Sequence, residues 1–284
     1  MLRRQQDIRT ILILLWSTIF ISYLFYKISG NINLFELFFL FIICTFNTFI
    51  VALINHNHRH HPIFKKEYLN RFTNIWISIL IGAPSTRLHL VHHFNHHRYY
   101  PDHQDWSHFA VCAKGQGLKR LFSYLKNAIH KMNSNRNLLV DTKLKKIMIR
   151  EERIAIYLSA LILLILNFPI FLLIILPGWI CGQLLLLTSN LLNHDYCEEN
   201  QTVNNSRDFI SPFENWIFCN NGYHTAHHLN PSLHWSELPD LHRNQVILIK
   251  KKRFIENSFF SFLLDYILWN SSIQKMEEEY LTQQ

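Results

Sequence analysis

From Ile154 to Asn193 the chain runs for about 40 residues without a charged side chain. A run that long is twice what crosses a bilayer core of roughly 30 Å. Inside lipid no water satisfies the backbone, so such a run must be helical. Two breaks are on offer, Asn167-Phe-Pro169 and Pro177-Gly178, since proline interrupts a helix. The second leaves a full-length span before it and returns the chain to its starting side at His194, so spans are expected over 154–176 and 178–194. Ile11 to Tyr26 and Leu37 to Ile54 are also uncharged and are separated by a short polar turn at Lys27 to Glu36, which predicts a hairpin with spans near 11–27 and 36–54. The expected fold is all-α and integral to the membrane, with about four transmembrane helices in a single domain over 1–284. A composition 49% hydrophobic, with 22 phenylalanines and 7 glycines, agrees.

Charge sets the orientation. Between Arg59 and Arg153 lie about 17 of the 28 basic residues, which marks this stretch as cytoplasmic under the positive-inside rule. Arg3, Arg4 and Arg9 precede the first span and no small-residue cleavage site follows it, so the first span is expected to be an anchor. The net charge of +8 is then a property of cytoplasmic loops, and nucleic acid is not an expected partner. Phe72 to Thr86 is apolar but short and contains Gly82 and Pro84, which predicts a re-entrant or interfacial segment; Phe254 to Trp269, interrupted by Glu256 and Asp265, also reads as interfacial. Leu118, Leu121, Phe122, Leu125, Ala128, Ile129 and Met132 recur at helical spacing opposite Lys119, Arg120, Lys126, Asn127 and Lys131. That amphipathic helix packs either on a cytoplasmic cap or in the headgroup plane.

Most of the 18 histidines fall into three clusters, at 56–61, 89–97 and 224–228. Each lies at the cytoplasmic end of an apolar segment, in a topology derived without reference to them. Imidazole is a common transition-metal ligand, and spacings of three and four residues put rings on one helix face. His56 and His60 form such a pair; His61 replaces His60 if the turn tightens, and His58 points away as an exposed histidine. In the second cluster His89-x-x-His92-His93 and His93-x-x-His96-His97 both fit. In the third, His224, His227 and His228 fit once. Cys44, Cys112, Cys181, Cys197 and Cys219 are scattered without a Cys-x-x-Cys pair, so any metal is held by nitrogen. His108, His130, His234 and His242 have no partner at ligand spacing, and Tyr223 and Trp235 are expected to pack.

These clusters resemble the boxes of the membrane fatty acid desaturase and hydroxylase superfamily, an H-x(3,4)-H box and two H-x(2,3)-H-H boxes, over roughly Asn55 to Leu241. His93-Phe-Asn-His-His-Arg-Tyr-Tyr-Pro-Asp-His-Gln-Asp105 is similar to the second box of acyl desaturases and favours the His93 frame, with His92 in reserve. Asn190-Leu-Leu-Asn-His194 is similar to the family's Asn-x-x-x-His element, whose histidine binds metal and whose asparagine reaches it through water. Asn221-Gly-Tyr-His-Thr-Ala-His-His resembles the third box. The first box departs by its crowding.

The resemblance implies nine nitrogen ligands, His56, His60, His93, His96, His97, His194, His224, His227 and His228, in a helical cytoplasmic cap. They would bind two iron ions (Fe2+) with positions left for dioxygen, and Asn190 would assist. Asp102, Asp105 and Asp195 suit hydrogen bonds to the ligands' outer ring nitrogens. The expected activity is desaturation of a fatty acyl chain presented as a lipid or acyl thioester, with hydroxylase, ketolase or decarboxylase chemistry as the alternative. The polar head would meet Lys119, Arg120 and Lys126, and a separate electron-transfer protein, ferredoxin-type or a small haem protein, would supply electrons. A metal transporter would place ligands near the bilayer midplane, and a zinc hydrolase would show a carboxylate base such as H-E-x-x-H. Neither pattern is present.

Overall fold

The computed structural model describes residues 1–27, 33–135 and 137–282. The chain is mostly helical and divides into two compact units, each discontinuous in sequence: Met1–Leu90 with Val140–Leu186, and Val91–Leu139 with Leu187–Gln284.

The first unit is built from α1 (Asp7–Lys27), α2 (Leu34–His60), α3 (Glu67–Ile81), most of α4 (Ser85–Val91), α6 (Lys143–Leu166) and the first two thirds of α7 (Phe168–His194). Three of these, Asp7–Phe25, Leu34–His60 and Phe168–His194, are long and apolar enough to cross a membrane. Part of the turn expected between the first two, residues 28–32, lies outside the described residues. Its far end is defined: Asn33 Oδ1 accepts the Glu36 N–H at 2.9 Å and Glu36 Oε2 accepts the Asn33 N–H at 3.3 Å, a reciprocal cap on α2.

The long apolar run breaks at Asn167, not at the expected Pro177-Gly178. Asn167 Oδ1 accepts the Ile170 N–H at 3.2 Å, and Pro169 sits in the first turn of α7, where its missing N–H costs nothing. Pro177 is absorbed inside the helix because the preceding turn, Phe171–Ile175, widens to π geometry and so tolerates the lost donor. Gly178 serves contact instead. A Cβ there would lie 2.6 Å from Cys44 Sγ, and one on Gly182 would lie 2.5 Å from Thr48 Cβ, so the two glycines let α7 approach α2 closely. Around this contact Phe20, Leu24, Cys44, Ile170, Ile174 and Trp179 form a buried cluster. Gly178→Leu is expected to destabilise the detergent-solubilised protein by about 1–3 kcal/mol through overpacking, read as a lower thermal midpoint.

The interfacial segment expected over Phe72 to Thr86 is α3, ended by Gly82 in the left-handed region at φ 67° and restarted at Ser85. Buried polar bonds tie these turns together. Asn55, the residue before the first histidine cluster, accepts from Ser85 Oγ. Ser78 Oγ accepts the Ser85 N–H at 2.9 Å. Buried Glu152 of α6 accepts Thr86 N–H at 3.0 Å and Oγ1 at 2.6 Å. His58, expected to be exposed, is buried, and its Nδ1 accepts the Ile63 N–H at 3.2 Å. It is a structural histidine that closes the turn after α2.

The second unit contains α5 (Gly117–Ser134), the end of α7 from Leu187, α8 (Pro212–Ile217), α9 (His224–Leu229), α10 (Phe259–Leu268) and α11 (Ser271–Leu281). The expected amphipathic helix is α5, whose Leu121, Tyr124 and Ala128 are buried. It packs against α10, while Leu118, Phe122 and Ile129 remain exposed. Asp208–Phe209 pairs in parallel with Ile255–Glu256 over two residues.

Candidate metal centre

Within the second unit, His96, His194, His224 and His228 converge so that one ring nitrogen from each lies within 4.8 Å of the others. Three separate elements deliver them: the turn at His92–His96, the last residue of α7, and the first and fifth residues of α9. His224 and His228 are one turn apart and share a face. His224 Nε2 is 3.0 Å from both His194 Nε2 and His228 Nε2. An imidazole nitrogen has one in-plane position, holding either a proton or a lone pair, so His224 Nε2 cannot bond to both neighbours. His96 Nε2 is buried with no hydrogen-bond partner. Four nitrogens with nothing between them to share suit a cation that accepts all four lone pairs.

The outer nitrogens are set for this. His96 Nδ1–H donates to Asp105 at 2.7 Å, and His194 Nδ1–H donates to the Asn205 carbonyl at 3.1 Å, which leaves Nε2 of each ring as a lone pair. Burial alone would raise the Asp105 carboxyl, but the His96 ring and hydrogen bonds from His96 and Ser107 outweigh it and hold it at about 2. Burial, reinforced by the surrounding imidazoles, keeps His228 well below the usual histidine value and so neutral. Neutral imidazole is the ligating form.

Asp105 therefore takes the role expected of it. Asp105→Asn is expected to weaken metal binding by about 10–100-fold, measured by competition with a chelator, because the amide no longer enforces the His96 tautomer. The carboxyl is held below its ordinary value, so its stabilising effect is complete above that value and is lost as pH falls from about 4 toward 2. Metal-free Asp105→Asn is expected to lack that segment of acid destabilisation.

A second group gathers around His227. Its Nε2 is 2.9 Å from His97 Nε2, and its ring stacks on His92 at 6.0 Å between centroids. His92 and His97 are themselves 4.5 Å apart. The second box is not regular α-helix: residues His92–His96 form a π turn, closed by the His97 N–H on the His92 carbonyl. A π turn aligns residues five apart, so His92 and not His93 sits beside His97. The His93 ring stands 6.2 Å from His97, outside the group of four. In the first unit the expected pair holds, with His56 and His60 rings 5.0 Å apart and His89 6.2 Å from His60.

Two expected helpers act elsewhere. Asp195, adjacent to His194, does not accept from a ring nitrogen; it is fully buried and takes two 2.7 Å bonds from Arg120 and a 2.5 Å bond from the Tyr266 hydroxyl. At the end of α7 its side chain faces α5 and α10, not the histidines. Arg120, expected to meet an anionic head group, is thereby committed: burial opposes its charge, but Asp195 more than offsets this. Lys119 and Lys126 remain exposed. Asn190 donates to the Tyr124 hydroxyl at 2.9 Å. Asp102 is an exposed turn acid that accepts the Gln104 N–H at 2.8 Å. His108, His234 and His242 are buried and outside both groups, and His130 is exposed.

Other residues support the centre without any signal in the sequence. Asp208 Oδ1 accepts the Thr225 N–H at 2.7 Å, capping α9 at its first turn. Buried Lys250 donates to the Ser206 carbonyl at 2.7 Å and to Thr225 Oγ1, and lies 3.3 Å from Asp208. Burial lowers its pKa, opposed by Asp208. The Tyr100 ring lies 4.1 Å from that of His194, and its hydroxyl donates to the Asn205 carbonyl at 2.5 Å.

No curated protein matches the chain. The sequence model of the fatty acid desaturase family matches residues 32–248, well over half of the 284 and a range that includes all three histidine clusters. Its apolar helices and this match make the protein a membrane protein and support an oxidoreductase activity. The chain belongs to the fatty acid desaturase family.

Proposed function

We propose that the protein is a multi-pass membrane oxidoreductase that uses two iron ions, dioxygen and external electrons to introduce a double bond into a fatty acyl chain. The observation that carries the reading is the convergence of His96, His194, His224 and His228, with the His96 Nε2 left unpartnered. These four would hold one ion, and His92, His97 and His227 would contribute to the other. The sequence pattern adds His56 and His60, and the family motif adds His93 and, through water, Asn190. Bound iron would supply the oxidant that an unactivated C–H bond requires, beyond the reach of acid–base groups.

The protein's own residues do the rest. Asp105 and the Asn205 carbonyl fix the two ring tautomers. Asp208 and Lys250 hold the first turn of α9, so that His224 and His228 keep their spacing. α6 is read as a fourth crossing: its 24 residues are long enough to span, Ile154 to Leu166 is apolar, and Ile154, Tyr157, Leu158, Leu161, Ile162 and Ile165 face outward, as a lipid-facing helix requires. The histidines then lie on the cytoplasmic side, where a soluble electron carrier and an acyl thioester or lipid head have access.

Expression in a host lacking desaturases, followed by mass spectrometry of total fatty acids, tests the reading. New double bonds at one chain position support it. New hydroxyl groups would assign the hydroxylase alternative, and an unchanged lipid profile with electron donor supplied would overturn it.

A further inference from the structure

A cavity of about 330 Å³ in the second unit has two of the clustered imidazoles, His97 and His228, in its wall. The remainder of the lining includes Tyr100, Glu199, Thr202 and Asn205. Thr202 and the adjoining lining residue Asn200 are exposed, which opens the cavity to solvent at that end. His228 is the member of the group of four that is not fully buried. The lining suits neither an alkyl chain, which needs an apolar wall, nor an anionic head group, because its one charged side chain is an acid.

Glu199 is built into this wall. Its Oε1 accepts the Tyr280 hydroxyl of α11 at 3.0 Å and lies 3.9 Å from His108 Nε2. Its side chain keeps 23% exposure, enough to exchange protons with water. The titratable groups that face it are His108 and Tyr280, with Tyr100 across the same cavity.

We infer that this cavity is the aqueous port of the centre, admitting protons through Glu199 and releasing product water. The inference rests on the desaturase reading and deepens it. Forming one alkene from two adjacent methylenes with one dioxygen takes up two electrons from the carrier and two protons, and releases two waters. The two hydrogens removed from the chain and the two protons account for all four hydrogens in that water. Some path must connect bulk water to the reacting side, and an apolar acyl tunnel is poorly suited to it.

The test uses the full-length, iron-loaded protein with azide as a small-anion probe, followed by absorbance. Thr202→Trp and Asn200→Trp, both at exposed positions, are expected to slow azide binding by at least about tenfold with iron content unchanged. Glu199→Gln keeps the shape but loses the exchangeable proton. It is expected to leave azide binding fast while raising the hydrogen peroxide released per dioxygen consumed and changing the solvent deuterium isotope effect. Unaltered azide rates in both tryptophan variants, or an unaltered peroxide ratio and isotope effect in Glu199→Gln, would overturn the port while leaving the desaturase reading intact. A purified protein that holds no iron would overturn that reading and the port with it.

Discussion

His224→Ala is expected to lose metal from the centre and to abolish turnover. Its Nε2 stands 3.0 Å from two other ring nitrogens, so it sits at the middle of the group of four and its loss opens the site on two sides. The remaining rings are not redundant. His96 Nε2 has no alternative partner, and the outer nitrogens of His96 and His194 are held by Asp105 and Asn205 so that neither ring can turn to fill the gap. Removing a hydrogen-bond partner outside the ligands of a metal site costs about 10–100-fold in affinity, and removing a ligand is expected to cost more. His130→Ala, at an exposed histidine outside the group, is the control and is expected to retain full metal content. Equal metal loss in both variants would argue for general destabilisation.

Arg120→Ala is expected to be the most destabilising single change in the second unit. Asp195 has no exposure, and Arg120 gives it two of its three hydrogen bonds. Removing one partner of such a pair strands a buried charge, at a cost of about 3–5 kcal/mol. Alanine also removes the guanidinium from the face of Tyr196, 4.7 Å from the ring centroid. Because Asp195 follows His194 directly, its displacement should reach the metal ligands, so metal affinity and thermal midpoint are expected to fall together. Arg120→Ala combined with Asp195→Asn removes the stranded charge and should recover part of the stability. No recovery would contradict the buried-charge account.

What the sequence revealed follows from local rules, and what it hid follows from tertiary ones. His56 and His60, and His224 and His228, pair as i, i+4 spacing requires, because they lie on ordinary α-helix. In the second box a π turn at His92–His96 brings His92 beside His97, a shift of alignment from four residues to five that no residue type announces. The same device hid the break in the long apolar run, where the π turn at Phe171–Ile175 lets Pro177 stay helical and Asn167 becomes the cap. Asp105 and Asp195 looked alike as acids near ligands. Their partners separate them: His96 reaches Asp105, while Arg120, from a helix far away in sequence, claims Asp195. Lys250 and Asp208, which brace the third box, carry no motif at all.

Under the proposed function this chain holds two irons on histidine nitrogen. Elemental analysis of the detergent-purified, full-length protein tests it most directly, with His224→Ala measured alongside. About two irons per chain, lost in the variant, is the predicted result. One zinc per chain, with no iron, would contradict the account.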